Sequence, residues 1–270
     1  MQLKISRPGL VACALLASTC LALAASRPAQ AQSFNIQYRV SLLGLTVGKA
    51  SMSGSFASAG YHMRADAKLA GLAALMSKGS GAVTSHGAIR SGVLYPDAYA
   101  TISVNPRTTR TIRMSMKDRG VEGVDVSPPF NPAPDRVPVT AQMKRDVVDP
   151  LSAAILTSSD SGNKLGADIC QKTLPIFDGV VRFNIVLSYK ATREVKMHGY
   201  RGPVQVCAAR YVPIAGHRPQ RRETQFMINN KNIEVWLAPL LGTNIALPVR
   251  ISVGTEVGTV DINAHSFVRN

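Results

Sequence analysis

The sequence predicts a mainly β protein, a strongly curved antiparallel sheet forming a half-barrel or open barrel, with one or two short helices. Three observations predict it. Runs rich in β-branched and aromatic residues recur along the 270 residues, about a dozen of them at regular spacing, as in sandwiches and barrels. Within the runs apolar and polar residues alternate, so that each strand needs only one buried face. Between them stand glycine, proline and asparagine turns, chief among them Asp178-Gly179, a dipeptide that supplies positive backbone angles cheaply.

The first 31 residues read as a secretory signal. Lys4 and Arg7 precede an apolar run from Leu10 to Ala25, and Ala29-Gln30-Ala31 is a small-x-small cleavage site. A transmembrane helix is the competing reading, but the run falls short of the roughly 20 residues a span needs. An acylated Cys13 is disfavoured because most of the apolar run follows it rather than precedes it. Cleavage after Ala31 places the protein in the periplasm without a transmembrane anchor and leaves 239 residues, 32–270, as a single β-rich domain. It also removes two of the four cysteines. The remaining pair, Cys170 and Cys207, is expected to form a disulfide outside the cytoplasm, the alternative being two separately buried thiols.

The formal charge is +15, and Lys4, Arg7 and Arg27 leave with the signal, so the mature chain carries +12. In an exported protein such a charge favours lipid headgroups or anionic envelope polymers over nucleic acid, and a plain solvated basic surface explains it equally well.

Taken in order, strands are expected at Phe34–Leu42, Lys49–Phe56 and from Tyr61 through Ala67, an antiparallel meander turning at Gly44 and Gly60. Leu69–Met76 breaks the alternation and suits a short helix or an apolar turn, packed in the core or else capping a cavity or meeting lipid. Strands resume at Gly81–Ile89, Gly92–Tyr99, Ala100–Val104, around Arg110–Met116 and at Val121–Val126. Residues 127–138 hold five prolines, too many for a ladder or a helix, and form a connection that is either an interdomain linker or a strap between sheet edges. Asp149-Pro150-Leu-Ser-Ala-Ala-Ile-Leu156 is the best helix candidate. Asp149 caps free amides, Pro150 fits the first helical position, and Leu151, Ala154 and Ile155 make one stripe. Beyond the Asp178-Gly179 hairpin, strands are expected at Val181–Leu187, Glu194–Met197, Val204–Val212, Thr224–Ile228, Ile233–Leu237, Ile245–Val253 and Thr259–Phe267.

Chemistry-bearing motifs are absent. His62, His86, His198, His217 and His265 show no ligand spacing, so no metal or other cofactor is expected. Thr84-Ser-His-Gly87 lacks the sharp turn of a serine nucleophile, and the acid pairs Glu122/Asp125 and Asp146/Asp149 stand beside turns. No catalytic residue is assigned and no enzyme activity is expected. Alanine, valine, leucine, isoleucine and methionine abound beside one tryptophan, a composition that suits a lining for variable acyl chains as well as an ordinary β core.

Four segments carry a resemblance: Cys170-x3-Leu-Pro-Ile-Phe-Asp-Gly179, Asp149-Pro-Leu-Ser-Ala, Gly202-Pro-Val-Gln-Val-Cys207 and Tyr211-Val-Pro-Ile-Ala-Gly216-His. With the opening Tyr38–Gly48, they make the chain similar to the Domain of Unknown Function 3108 family of exported proteobacterial proteins. That likeness spans nearly the whole mature chain. It implies a β-spiral akin to envelope-integrity proteins and to the Lol-type lipoprotein carriers, whose half-barrels hold acyl chains. Only the cysteine pair and the Asp178-Gly179 turn carry over. The expected function is therefore non-catalytic binding of a lipid or other hydrophobic envelope component in a concave apolar face. Arg107, Arg110, Arg113, Arg221 and Arg222 are the candidate contacts for anionic groups. The alternative is a structural protein of the envelope that binds wall polymer or a protein partner.

Overall fold

Alternating side chains drive the described residues into one continuous antiparallel sheet. The computed structural model describes Met1 and residues 32–57, 60–71, 74, 79–158 and 165–269. Residues 2–31, where the signal is expected, and half of the apolar stretch Leu69–Met76 lie outside the described residues.

The strands are β1 (Gln32–Leu42), β2 (Leu45–Ala57), β3 (Gly60–Leu69), β4 (Ser80–Arg90), β5 (Val93–Val104), β6 (Thr109–Lys117), β7 (Gly120–Ser127), β8 (Leu156–Thr157), β9 (Thr173–Phe177), β10 (Arg182–Met197), β11 (Tyr200–Ala215), β12 (Ile233–Pro239), β13 (Ile245–Thr255) and β14 (Gly258–Arg269). Their order is β7-β6-β5-β4-β3-β2-β1-β14-β13-β12-β11-β10-β9, with β8 added beside β13. Two meanders thus meet where β1 pairs with β14, and the outer strands β7 and β9 leave the sheet open.

In three of the two-residue hairpins both turn residues take positive φ, namely Leu43-Gly44 (51° and 82°), Ser91-Gly92 (49° and 75°) and Asp118-Arg119 (46° and 63°), which matches the right-handed twist of the flanking strands.

One register sets the inner face. Phe34, Ile36 and Tyr38 of β1, Met52 and Phe56 of β2, Tyr61 and Met63 of β3, Met114 and Met116 of β6 and Phe267 of β14 belong to one buried cluster. Val147, Leu151 and Ile155 belong to it as well, although they lie in no long strand. The connection after β7 is therefore a strap that fills the hollow of the sheet. Val137 exchanges backbone hydrogen bonds with Gly216 and His217 (2.8 and 2.9 Å), Val147 N–H donates to Arg119 at the β6–β7 turn (3.0 Å), and Val148 pairs with β9 through Pro175 and Phe177 (2.9 and 3.0 Å). The strap thus links the free edge of β9 to the turn beside β7 and covers the edge of β9 against pairing with another chain.

A second core covers the opposite side of β10–β13, where Leu156, Leu165, Ile169, Leu187, Leu237 and the two cysteines pack together. Cys170 and Cys207 are bonded with Cα atoms 5.3 Å apart, which fastens the 3₁₀ turn Ala167–Cys170 to β11.

The strands expected at Gly92–Tyr99 and Ala100–Val104 run on as one, β5, as do those at Val181–Leu187 and Glu194–Met197 as β10, and two expected elements change type. The helix expected over Asp149–Leu156 is a single 3₁₀ turn, Ser152–Ala154, because Leu156 and Thr157 are drawn into the sheet against Ala246 and Ile245 of β13. The strand expected over Thr224–Ile228 is instead the α-helix α1, Arg222–Asn229. Arginine, glutamate, glutamine and methionine are good helix formers, and the apolar Phe226-Met-Ile run was too short to distinguish the two states.

The Asp178-Gly179 turn joins β9 to β10. Asp178 Oδ1 accepts from the amides of Val180 and Val181 (2.8 and 2.6 Å). Gly179 has φ 96°, and a Cβ placed on it would lie 2.4 Å from Ile112 Cγ2 of β6. This glycine thus serves both the turn and the seam where the two ends of the sheet meet. Gly179→Ala is expected to cost roughly 2–4 kcal/mol through backbone strain and overpacking, read as a lowered midpoint in chemical denaturation with an unchanged slope.

Candidate functional site

Side-chain size along the inner register divides the hollow into two halves. Toward the β4–β5 and β6–β7 turns the inward positions are large, as the aromatic and methionine cluster shows. Toward the β1–β2 turn they shrink to Ala50, Ala65, Ala67 and Gly81. The strap does not compensate, offering only Leu151 and Ala154 there, and a cavity of about 370 Å³ remains. Tyr38, Met52, Val83, Pro248, Ile251 and Ile262 complete most of its wall. Its lining reaches Ala67, Gly81 and Ser103, each within two residues of a strand end, so the cavity lies at the margin of the sheet.

The wall presents hydrocarbon. Tyr38 Oη donates to the Pro248 carbonyl (2.7 Å) and Thr101 Oγ1 to the Ala82 carbonyl (3.2 Å), which turns both hydroxyl protons away from the space. Burial pushes the Tyr38 phenol far above its ordinary pKa and keeps it neutral. A lining of this kind solvates an alkyl chain and gives a polar group few partners.

Behind the cavity the strap is anchored by a buried polar knot. Asp149, with no exposed surface, accepts from the amides of Leu151 and Ser152 at Oδ1 (2.9 Å each). Its Oδ2 contacts Ser85 Oγ (2.9 Å) and Ser152 Oγ (2.5 Å). Ser152 Oγ also meets Ser85 Oγ (2.8 Å) and Tyr61 Oη (2.6 Å). The three hydroxyl protons are one fewer than these four O···O contacts, and a proton on Asp149 would supply the fourth. Burial, opposed by these hydrogen bonds, raises the Asp149 carboxyl above the ordinary range, which agrees with that count. The knot lies out of reach of solvent, so its chemistry is cohesive rather than catalytic. Ser85 faces inward while His86 points outward beside His62 on β3, their rings 6.3 Å apart, so the adjacent Ser-His pair is split between the two faces of the sheet.

The arginines singled out by sequence fall on several elements. Arg107 lies in the β5–β6 loop, where its amide donates to Asn105 Oδ1 (2.9 Å). Arg110 opens β6, with its guanidinium 3.9 Å from the Phe130 ring centre and Nε on the Pro128 carbonyl (3.1 Å). Arg113 projects from the outer face toward Asp125 (3.4 Å). Arg221 and Arg222 begin α1, and Arg222 Nε meets Glu256 (2.5 Å) in the β13–β14 turn. Arg107, Arg110 and Arg222 therefore share the end of the sheet at which the cavity lies, while Arg113 stands back from it. Among the described residues no group of three His, Cys, Asp or Glu is placed to hold a metal ion.

Residues 33–264 match the model of a family described as protein of unknown function (DUF3108). The chain belongs to that family. The DUF3108 match covers every strand of the sheet from β1 to most of β14. No curated protein matches the chain. A crystal structure titled as a beta-barrel-like protein of domain of unknown function DUF1849 from Brucella abortus is similar at 7% identity, over 88% of this chain and 98% of that one, with a TM-score of 0.47.

Proposed function

We propose that this DUF3108 protein is a non-catalytic, exported protein of the cell envelope that holds the acyl chain of a lipid in its marginal cavity. The observation that carries the reading is the cavity itself. About 370 Å³ of apolar space is more than twice the roughly 150 Å³ of an engineered cavity that takes up benzene, and it falls in the range of ligand pockets. The basic residues at the same end of the sheet suit an anionic headgroup left outside. The Cys170–Cys207 bond supports an oxidising compartment such as the periplasm, and no helix among the described residues is long and apolar enough to cross a membrane.

Filling the cavity tests the reading. Ala65→Leu and Val83→Phe each put carbon where an acyl chain would lie. Both variants are expected to weaken binding of a fluorescent fatty acid at least tenfold while leaving the melting temperature unchanged or higher, since a filled void stabilises. Undiminished binding by both would remove the cavity from the function.

A second reading, an interaction protein of the envelope, is favoured by the β10–β11 hairpin, which exposes Val186, Tyr189, Val212 and Ile214. Substituting these four with serine would abolish a protein or wall-polymer contact and leave fatty-acid binding intact.

A further inference from the structure

Among the described residues, the most exposed large apolar side chains of the strands and turns gather at one place. Leu43 (68%), Leu45 (67%) and Val257 (70%) occupy the β1–β2 and β13–β14 turns, which are neighbours because the Leu43 amide donates to the Thr259 carbonyl (3.1 Å). Leu43 is costly twice over. It holds a left-handed φ of 51° as the first residue of a two-residue turn, a position that asparagine fills best, and it leaves its side chain in water. In return its side chain rests on Gly258 of the neighbouring turn, where a Cβ would come 2.3 Å from Leu43 Cδ2, and this one contact leaves most of it exposed.

Charge on the adjoining outer face has an equally unusual arrangement. Arg39 faces Lys49 across β1 and β2, and Lys49 faces Lys68 across β2 and β3. Three cations thus stand side by side on consecutive strands about 4.8 Å apart, an arrangement that destabilises a sheet. None of the three has an acidic partner within 4 Å among the described residues. The acid nearest the apolar turns in the chain, Glu256, is already held by Arg222. Lys49 and Lys68 border an outer-face trough of about 530 Å³ whose far side carries Ile102 and Val104.

Four residues separate Arg39 from Leu43 and Lys49 from Leu45, about 13 Å of strand, less along the axis of a coiled sheet. Side chains entering the headgroup boundary by 5–10 Å would bring that row to the level of the lipid phosphates. We propose that this end of the sheet docks on an anionic lipid bilayer, with Leu43, Leu45 and Val257 entering the boundary and Arg39, Lys49 and Lys68 lying against phosphates. The surface complements that partner in both respects, an apolar tip for the interface and unpaired cations for its charge. It does not depend on what the cavity holds.

The test uses the protein obtained by expressing the full chain, sedimented with phosphatidylglycerol vesicles and with phosphatidylcholine vesicles. Binding is expected to the former, with loss of more than tenfold between 0.05 and 0.5 M salt as the charges are screened. The triple variant Leu43→Asn, Leu45→Ser, Val257→Ser should bind at least tenfold more weakly without a lower melting temperature, since asparagine suits the turn. Replacing Arg39, Lys49 and Lys68 by glutamine should weaken binding on the order of a hundredfold, from about fivefold per cation. Fatty-acid binding in solution should survive both sets, which separates this surface from the cavity. Absence of binding to the anionic vesicles at low salt would overturn the proposal. So would wild-type binding by the leucine and valine variant, which would mean capture of polyanions through charge alone.

Discussion

Replacing Asp149 by alanine is expected to cost roughly 3–5 kcal/mol, because a buried acceptor of this kind leaves several groups unsatisfied at once. The amides of Leu151 and Ser152 lose their only side-chain acceptor, and the hydroxyls of Ser85 and Ser152 lose a partner where water does not enter. The strap's anchor inside the sheet goes with them. The expected result is a lower urea midpoint and faster exchange of the amides of Val147 and Val148, which tie the strap to the β6–β7 turn and to β9. Asp149→Asn separates hydrogen bonding from charge. Its amide group donates two protons into the knot and its oxygen still caps the turn, so it should cost less than about 1 kcal/mol if the native carboxyl is neutral. A charged carboxylate accepting the same bonds would make the change far more expensive, at about 1.5–3 kcal/mol per bond.

The pH dependence has a definite sign. Burial raises the folded-state pKa of Asp149 above the ordinary value it takes in the unfolded chain. Its contribution is therefore fully present below that ordinary value and is lost as pH rises through the raised one. Asp178, also raised chiefly by burial, acts in the same direction. Wild-type stability should thus fall relative to that of Asp149→Asn as pH rises above the ordinary carboxylate range. Parallel pH profiles for the two proteins would show that Asp149 ionises as freely in the fold as in the unfolded chain.

Loss of the disulfide is the second large effect. Cys170 and Cys207 close a loop of 37 residues, and replacing both with alanine should cost about 4 kcal/mol in the chain-entropy model. The damage should be local as well as global. The second core, between the strap's exit at Leu156 and Leu165 and the strands β10–β13, should exchange its amides before the inner cluster does. Denaturation of the reduced and oxidised wild type gives the same comparison without substitution, and equal midpoints would remove the bond from the account of stability.

Much of this architecture was legible because a strand announces its buried face every second residue. Phe34, Ile36, Tyr38 and Val40 declare β1, and Val181, Phe183, Ile185 and Leu187 declare β10, whatever their partners. Asp178-Gly179 announces a turn for the same local reason. What periodicity does not encode is the covering layer. The proline-rich segment and the residues after it read as a connection and then a helix, whereas the chain enters the hollow and makes one 3₁₀ turn, because Leu156 and Thr157 are captured by β13.

The sites divide along the same line. The two cysteines outside the expected signal, Cys170 and Cys207, identify each other. By contrast, Ala50, Ala65, Ala67 and Gly81 read only as small residues until pairing register places them together on the inner face, and Arg39, Lys49 and Lys68 become a row only through strand order. The arginines chosen from sequence stood out by local clustering. The cations that lack partners are instead dispersed along the chain and neighbours only across the sheet.

The most direct test of an acyl-holding cavity is native mass spectrometry of the protein purified without detergent after expression of the full chain. The account predicts a non-covalent adduct of lipid mass that departs on activation and is diminished in Ala65→Leu and Val83→Phe. A bare oxidised chain that takes up nothing from added envelope lipids would contradict it.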